Sequence, residues 1–425
     1  IKISENHHAA FSRLSIVDLD DRAMQPMLSA NKRLQISFNG EIYNRHELKQ
    51  SLKYETRSQL TTTSDTEIFL EYISEYGLDR ALNDAEGMFG FSLQDLQKNE
   101  LYLCVDKFGQ KPIYYGCSDK GVYYSSDFKS LVNLEQFKQL DIAKVSEYFS
   151  YGHISAPDTL IINIKKIEAG TYTKFSSGPS GANTLIHTRY FCIESDIKFF
   201  ESNASLQDLK ENFENTINEM TDIDVDYACF LSGGVDSSMI AAALKNLKGN
   251  VKTYCISFPG TEYDESEHAS KVARFIGSEH RSIEIPKEKM IKIIKSYPDY
   301  FAEPMVDFAS IPLIFASSEI DEKVAFVGDG GDELYGGYHD YYNTRRELWN
   351  KKRTFDYKKF NLFKSFLPLK LQGVLSRAIN KTNNHKDFMK FFHSNEGLYD
   401  ERLSKTNFSS QKPLDREYKD FSWLQ

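Results

Sequence analysis

Two stretches of this chain carry residue types spaced for chemistry. The first is Phe230-Leu231-Ser232-Gly233-Gly234-Val235-Asp236-Ser237-Ser238. An apolar run at 227–231 leads into it and a helix-forming run at 239–244 follows. A strand, a glycine turn and a helix start bring unpaired N–H groups and the positive end of the helix dipole to one point, which suits a phosphate or pyrophosphate. The pattern is not the Walker A loop, G-x-x-x-x-G-K-[ST], because no lysine follows and Asp236 stands inside the loop. An acid beside phosphates is reasonable when Mg²⁺ bridges them, since that ion is held by one or two carboxylates plus phosphate oxygens. A strand-to-helix turn without a ligand is the plainer alternative. The second stretch is Gly328-Asp329-Gly330-Gly331-Asp332-Glu333-Leu334-Tyr335-Gly336-Gly337-Tyr338. Its glycines leave the backbone open, and Asp329, Asp332 and Glu333 could hold Mg²⁺ or orient a substrate ammonium. It lacks the EF-hand order of ligands, and solvated acids on a bare turn remain the alternative.

The elements that must position these loops alternate. A helix is expected from Ser205, with Leu206, Leu209, Phe213, Ile217 and Met220 on one stripe and Asp208 three residues after the cap. Strands are expected at 227–231, 251–258, 281–285 and 324–327, with a helix stopped by Gly277. Such alternation predicts a parallel sheet with helices on both faces, and ligands in such sheets bind beyond the carboxyl ends of the strands. Both loops fall there, as does the loop after Phe258.

Residues 1–192 read differently. Alternating runs at 34–38, 88–93, 101–105, 114–116 and 122–124 predict strands, separated by turns including Asn39-Gly40 and Asp119-Lys120-Gly121. Helices are expected from Ser64-Asp65-Thr66-Glu67 and from Asp141. Few helices among many strands predict stacked antiparallel sheets flanked by helices, an α+β half ahead of an α/β half. Polar groups cluster in Arg13-Leu14-Ser15-Ile16-Val17-Asp18, Phe38-Asn39-Gly40-Glu41-Ile42-Tyr43-Asn44, Ser64-Asp65-Thr66-Glu67 and Asp106-Lys107-Phe108-Gly109-Gln110-Lys111-Pro112. An arginine and acids so placed could hold the carboxylate and ammonium of an amino acid. Ordinary turn chemistry accounts for them equally well.

Composition bounds the rest. A chain of 425 residues, 40% hydrophobic and 27% charged, fits two or three globular domains. A net charge of −9 argues against a general nucleic-acid binder, and the basic stretch 345–392 reads better as a solvated helical face than as an RNA surface. Scattered cysteines without C-x-x-C point to free thiols in a reducing compartment, and no apolar run is long enough to span a membrane.

The motifs together resemble the glutamine-dependent asparagine synthetases and their amidotransferase relatives. Ser232–Ser238 resembles the pyrophosphatase loop of the ATP-pyrophosphatase (PP-loop) fold, which is adenine nucleotide α-hydrolase-like, and 327–338 resembles the family's later S-G-[DE]-G-[GS]-D-E-L-[FY]-G-G-Y motif. R-L-S-I-V-D, F-N-G-E-I-Y-N, S-D-T-E and F-G-Q-K-P-I-Y-Y resemble the N-terminal-nucleophile (Ntn-hydrolase-like) glutaminase domain. The resemblance implies a glutaminase-like domain at 1–192, a linker at 193–204 and a synthetase domain at 205–425. Departures are local and terminal. Val327 replaces a serine, Asp329 stands where many members have glutamate, and the family's nucleophilic cysteine with its C-G-I-x-G run is absent from this chain, as are later synthetase motifs. The chain is therefore expected to be an internal piece of a longer protein.

The resemblance implies two half-reactions. Glutamine would be held by Arg13 with the Ile16 and Val17 backbone, its ammonium by Glu41 and Asp65, with Asn39 and Gly40 as the oxyanion hole. ATP would lie against Leu231, Ser232, Gly233, Gly234, Val235, Asp236, Ser237, Ile256, Val327 and Gly328. Mg²⁺ would sit on Asp236 and Asp332, and Asp329 would stabilise the adenylate stage. The implied product is asparagine, with AMP and pyrophosphate. The alternatives are an amidotransferase for another carboxylate, such as a sugar acid or a β-lactam precursor, and a catalytically inactive homologue. A cytoplasmic location and a homodimer are the accompanying expectations, with no nucleic-acid or membrane partner.

Overall fold

The computed structural model describes residues 2–4, 7–177, 183–193, 205–301, 303–307, 309–335 and 337. The fold divides into two compact units, one containing Ile1–Val327 and one beginning at Gly328. The strands of the first unit are, in order, β1 (Lys2–Ser4), β2 (His7–His8), β3 (Met27–Leu28), β4 (Leu34–Ile42), β5 (Gly87–Asp95), β6 (Glu100–Val105), β7 (Tyr114–Ser118), β8 (Gly121–Ser125), β9 (Ile164–Lys166), β10 (Thr171–Ser177), β11 (Asn183–Arg189), β12 (Tyr227–Phe230), β13 (Lys252–Ser257), β14 (Glu279–Glu284) and β15 (Val324–Phe326). Its helices are α1 (Arg45–Ser51), α2 (Tyr54–Arg57), α3 (Asp65–Tyr76), α4 (Leu78–Asp84), α5 (Phe128–Val132), α6 (Ile142–Tyr151), α7 (Leu206–Met220), α8 (Val235–Lys248), α9 (Ser266–Ile276), α10 (Lys287–Lys295), α11 (Tyr297–Tyr300) and α12 (Ser310–Ser318). Beyond Val327 the described helix is α13 (Gly331–Tyr335).

The first half is built on a six-stranded antiparallel sheet in the order β11-β10-β6-β5-β4-β3. Alternation along its strands sorts side chains to two faces. Ile36, Phe38, Phe89, Phe91, Leu93 and Cys104 meet Phe69, Tyr72 and Ile73 of α3 in one core. Four phenylalanines, 38, 69, 89 and 91, pack there at centroid distances of 5.6–6.1 Å. On the other face Leu103, Val105 and Phe175 pack against Ile113 and Tyr115 and the small antiparallel sheet β8-β7-β9. This is the expected sandwich with helices outside it. Ser64 caps α3 and Asp141 caps α6 through side-chain acceptance of backbone N–H groups.

One local expectation fails. Asn39-Gly40 is not a turn but lies inside β4, Asn39 opposite Gly90 and Gly40 opposite Phe89. Turn propensity loses because Ile36, Phe38 and Ile42 must all reach the core from one continuous strand. The glycine is needed for close approach, since a Cβ on Gly40 would sit 2.0 Å from the Met88 carbonyl oxygen.

The second half carries a parallel sheet in the order β14-β13-β12-β15. Cys229, Leu231, Cys255 and Phe326 pack on one face against Ile217 of α7, Ala241 and Leu244 of α8, and Ala269 and Ala273 of α9. Tyr254, Ile256 and Ile283 face the other way, towards Ile293 of α10 and Phe315 of α12. The capping box of Ser205 and Asp208 opens α7, and Gly277, at φ 73°, closes α9. Successive strands extend the sheet one way from β12 to β14, and the chain then crosses back to lay β15 on the free edge of β12. That reversal makes the carboxyl end of the β12–β15 pair the topological switch point, where open α/β sheets bind ligands.

Candidate functional site

Arg13 lies in an irregular stretch ahead of the one-turn helix Asp21–Ala23. Its guanidinium donates to the carbonyls of Val17 (3.0 Å), Asp20 (3.1 Å) and Asp18. These acceptors converge because Asp18 adopts the left-handed conformation, φ 54°, and turns the chain back. Thr63 secures that turn, donating to the Asp18 carboxylate from its N–H (2.6 Å) and its hydroxyl (3.0 Å). Burial works to raise the Asp18 carboxyl, but the hydrogen bonds from Thr63 and Asp20 outweigh it and hold it below the usual range. Thr63 stands two residues before Asp65, so the arginine loop and the start of α3 are joined.

Asp65 is buried and accepts from the N–H groups of Ile42 (2.9 Å) and Thr66 (2.8 Å). Glu41, at the end of β4, lies within electrostatic reach of it. Burial first, and then the Asp65 charge, push the Glu41 carboxyl up to about 7, against the pull of Arg45 and Lys111. Burial likewise raises Asp65. Asn39 is exposed on the strand that carries Glu41, with Gly40 between them. The structure thus brings Glu41, Asp65, Asn39 and Gly40 to one strand end, where burial raises both carboxyls and the Asp65 charge adds to the shift at Glu41. Asp106, by contrast, is fully buried and accepts from the N–H groups of Phe89, Phe108, Gln110 and Lys111 at 3.0–3.2 Å, which makes it the organiser of its own turn.

The Ser232–Ser237 loop follows β12 at the switch point. Leu231 is buried and donates its N–H to the Tyr254 carbonyl at 2.8 Å, while Ser232 and Ser237 hydroxyls meet at 3.0 Å across the turn. Gly234 is the N-cap of α8 and has no side chain to cap the N–H groups that follow, while its own N–H donates to the Ser232 hydroxyl at 3.1 Å. Gly233, at φ 86°, is held against α9, where a Cβ would fall 2.6 Å from the His268 ring and 2.9 Å from the Ala269 nitrogen. Asp236 sits half-buried in the first turn of α8, and Val235 is exposed. Ile256 packs its side chain into the β13–α12 core, leaving its backbone on the sheet.

Val327 directly follows β15, and Cys229 pairs with Phe326, so Leu231 and Val327 leave the sheet at the same end. In the second unit, Gly328 accepts from the Gly331 N–H at 3.2 Å, Asp329 precedes Gly330 at φ 88°, and Asp332 and Glu333 occupy the first turn of α13. Gly336 and Tyr338, all of the expected 193–204 linker beyond Ile193, and the basic stretch 345–392 lie outside the described residues. Among the described residues, no group of three or more His, Cys, Asp or Glu side chains stands ready for a metal ion. Cys104, Cys229 and Cys255 are buried in strands with their thiols pushed up by that burial, Cys255 to about 11.

Several participants carried no sequence signal. Asp18 stood inside a motif whose arginine drew the attention. Asp222 and Asp224, just ahead of β12, belong to none of the motifs. In the structure Arg45 donates to the Asp222 carbonyl (2.8 Å) and pairs with its carboxylate (2.8 Å), and Asp224 accepts from the Asp18 N–H at 2.7 Å.

Known proteins match this chain along most of its length. A family model described as glutamine amidotransferase domain matches residues 1–190, and one described as asparagine synthase matches residues 208–422. Asparagine synthetase [glutamine-hydrolyzing] 1 of Bacillus subtilis is 32% identical over 78% of this chain and 52% of its own length. A putative asparagine synthetase [glutamine-hydrolyzing] of Mycobacterium bovis is 29% identical over 82% of this chain and 54% of its own. Asparagine synthetase B [glutamine-hydrolyzing] of Escherichia coli is 28% identical over 80% of this chain and 58% of its own. The chain spans about half the length of the curated relatives it matches.

Proposed function

Because the chain belongs to the asparagine synthase family, we propose that it carries ATP-dependent amide synthesis, with aspartate as acceptor, glutamine as nitrogen donor, and asparagine, AMP and pyrophosphate as products. The observation that carries the reading is the uncapped start of α8 behind a two-glycine loop at the switch point of a parallel sheet. A carboxylate is a poor acyl donor, because oxide would have to leave. Attack of the aspartate side-chain oxygen on the α-phosphorus of ATP expels pyrophosphate and leaves AMP as the later leaving group. The N–H groups of Val235, Asp236 and Ser237 receive the pyrophosphate, with Gly234 and the Ser232 and Ser237 hydroxyls beside them. Leu231 and Ile256 meet the adenine and ribose through backbone, Val327 and Gly328 border the nucleotide, and Asp329 stabilises the adenylation stage. Ammonia then attacks the acyl carbon and AMP departs.

A single carboxylate beside phosphate oxygens is a sufficient protein donor for Mg²⁺, and Asp236 in the first turn of α8 fits that part, with Asp332 as the second ligand. Bound there, the ion would neutralise charge on the leaving pyrophosphate. On the glutamine side, Arg13 and the 16–17 backbone take the α-carboxylate, Glu41 and Asp65 the ammonium, and Asn39 with the Gly40 N–H the oxyanion. The domains divide as 1–192, a 193–204 linker and 205–425. The free cysteines support a reducing, cytoplasmic setting, and a homodimer completes the proposal, to be checked by sedimentation equilibrium.

The test is a full-length protein incubated with ATP, aspartate and glutamine labelled with ¹⁵N in its amide. The expected outcome is label in the asparagine side chain, with AMP and pyrophosphate formed in equal amounts. Glutamate release without asparagine would overturn the acceptor assignment.

A further inference from the structure

The clamp loop around Arg13 is held by the half of the chain that carries the nucleotide loop. Segment 221–226 joins α7 to β12, and β12 runs directly into Ser232. From this segment the Asp224 N–H donates to the Ile16 carbonyl at 3.0 Å, and the Asp224 carboxylate accepts from the Asp18 N–H at 2.7 Å. These two bonds bracket Val17, whose carbonyl receives the Arg13 guanidinium. Two residues earlier, Asp222 is gripped by Arg45, and His46 lies 2.6 Å from the same carboxylate.

We propose that Asp224 is a positioning residue for the proposed glutamine site: it fixes the left-handed turn at Asp18 and so aims the Arg13 guanidinium. A non-glycine residue in the left-handed region is held there by its surroundings rather than by its own preference. Here the surroundings are Thr63 and the Asp20 N–H on the Asp18 carboxylate and Asp224 on the Asp18 N–H. Without Asp224 the backbone at Asp18 loses its anchor to segment 221–226, and the turn loosens towards extended backbone. The carbonyls of Val17 and Asp18 then swing off the guanidinium, and Arg13 loses the fixed orientation in which its remaining N–H groups and charge meet a carboxylate. The bond is charge-assisted, so its loss is felt even though Asp224 is solvent-exposed. Asp224 touches no substrate in this arrangement, and its effect runs wholly through the turn.

The inference rests on the glutaminase reading for its substrate but not for its structural core, and the experiment separates the two. Asp224→Ala and Asp224→Asn are made in the full-length protein. Amide hydrogen exchange is followed across residues 13–20, alongside glutamine hydrolysis and ammonia-dependent synthesis. Asp224→Ala is expected to speed exchange at 16–20 while leaving β4 and α3 protected, and to raise KM for glutamine about tenfold with kcat and the ammonia-dependent reaction unchanged. Asp224→Asn keeps an oxygen acceptor and should restore both the protection and most of the affinity. Unchanged exchange at 16–20 in Asp224→Ala overturns the positioning role. So does a parallel loss of kcat and of ammonia-dependent synthesis, because a merely structural residue would behave that way. A wild-type protein that hydrolyses no glutamine yet shows the loosened turn in the variant overturns the glutaminase reading and leaves the turn assignment standing.

Discussion

The two loops that meet substrate in this scheme are held in opposite ways. The clamp loop at 13–20 has no regular structure, and its shape comes from side chains: Arg13 on three carbonyls, Thr63 on Asp18, Asp224 on the Asp18 N–H. The nucleotide loop takes its shape within one window: a strand end, a glycine pair and a helix start, tied locally by the Ser237 hydroxyl accepting from the Ser232 N–H and the Ser232 hydroxyl accepting from the Gly234 N–H. A site that must recognise one amino acid is assembled from distant polar groups. A site that must cradle phosphates needs little more than N–H groups in the right curve.

The comparison is broken most severely at Asp236. Asp236→Asn in the full-length protein should lower asparagine formation and pyrophosphate release by about 10²–10³-fold, an effect of the size seen when one preorganised electrostatic contact is lost. Glutamine hydrolysis should be unaffected, and coupled assays of pyrophosphate and glutamate would reveal equal loss of both if the two loops are not separate sites. Gly233→Ala tests how far the nucleotide loop depends on its glycine pair. A methyl there meets the His268 ring at 2.6 Å in a positive-φ position, and the strain of about 1–3 kcal/mol should appear as a rise in KM for ATP of roughly five- to 150-fold, readable by isothermal titration as weaker binding.

How much of this the residues reveal in advance follows the same division. S-G-G-V-D-S-S is contiguous, so strand, turn and helix start could be read from one window, and α7, α9 and the parallel sheet were legible from caps and apolar stripes. Asn39-Gly40 has the composition of a turn yet lies in a strand, because local turn propensity gives no notice of the core that pulls residues 34–42 into one strand. Asp222 and Asp224 were invisible, since nothing in an exposed acid indicates that its partner lies some two hundred residues away in the chain. The Glu41–Asp65 pairing became physical only once β4 and α3 were seen to converge.

The pH dependence sharpens the side-chain half of the comparison. The Glu41 carboxyl moves from 4.5 to about 7 on folding. In that window the native state binds more protons than the unfolded chain, so Glu41 subtracts stability as pH rises. Ligand binding has the opposite sign. A glutamine ammonium is met by a full charge only once Glu41 ionises, so KM for glutamine should fall as pH rises through about 7. Glu41→Gln should flatten that profile, measured across a pH series, whereas a profile unchanged by the substitution would remove Glu41 from the ammonium site. The smallest effect is expected at Thr63→Val, which loses one hydroxyl bond to Asp18 but keeps the N–H contact. About 1 kcal/mol, or roughly a fivefold rise in KM for glutamine, is the predicted outcome of steady-state assays.

The strand order of the parallel sheet bears on how the chain is made as well as on where it binds. β12 gains β13 soon after it leaves the ribosome, but its other neighbour, Val324–Phe326, is synthesised much later. Until then the strand that supports the nucleotide loop is an open edge, a template for pairing with any exposed strand nearby. The six-stranded antiparallel sheet is already complete by Arg189. During translation the antiparallel sheet can therefore form first and stand beside an unfinished parallel sheet, which makes the interval before residue 324 the stretch of synthesis in which the β12 edge needs protection.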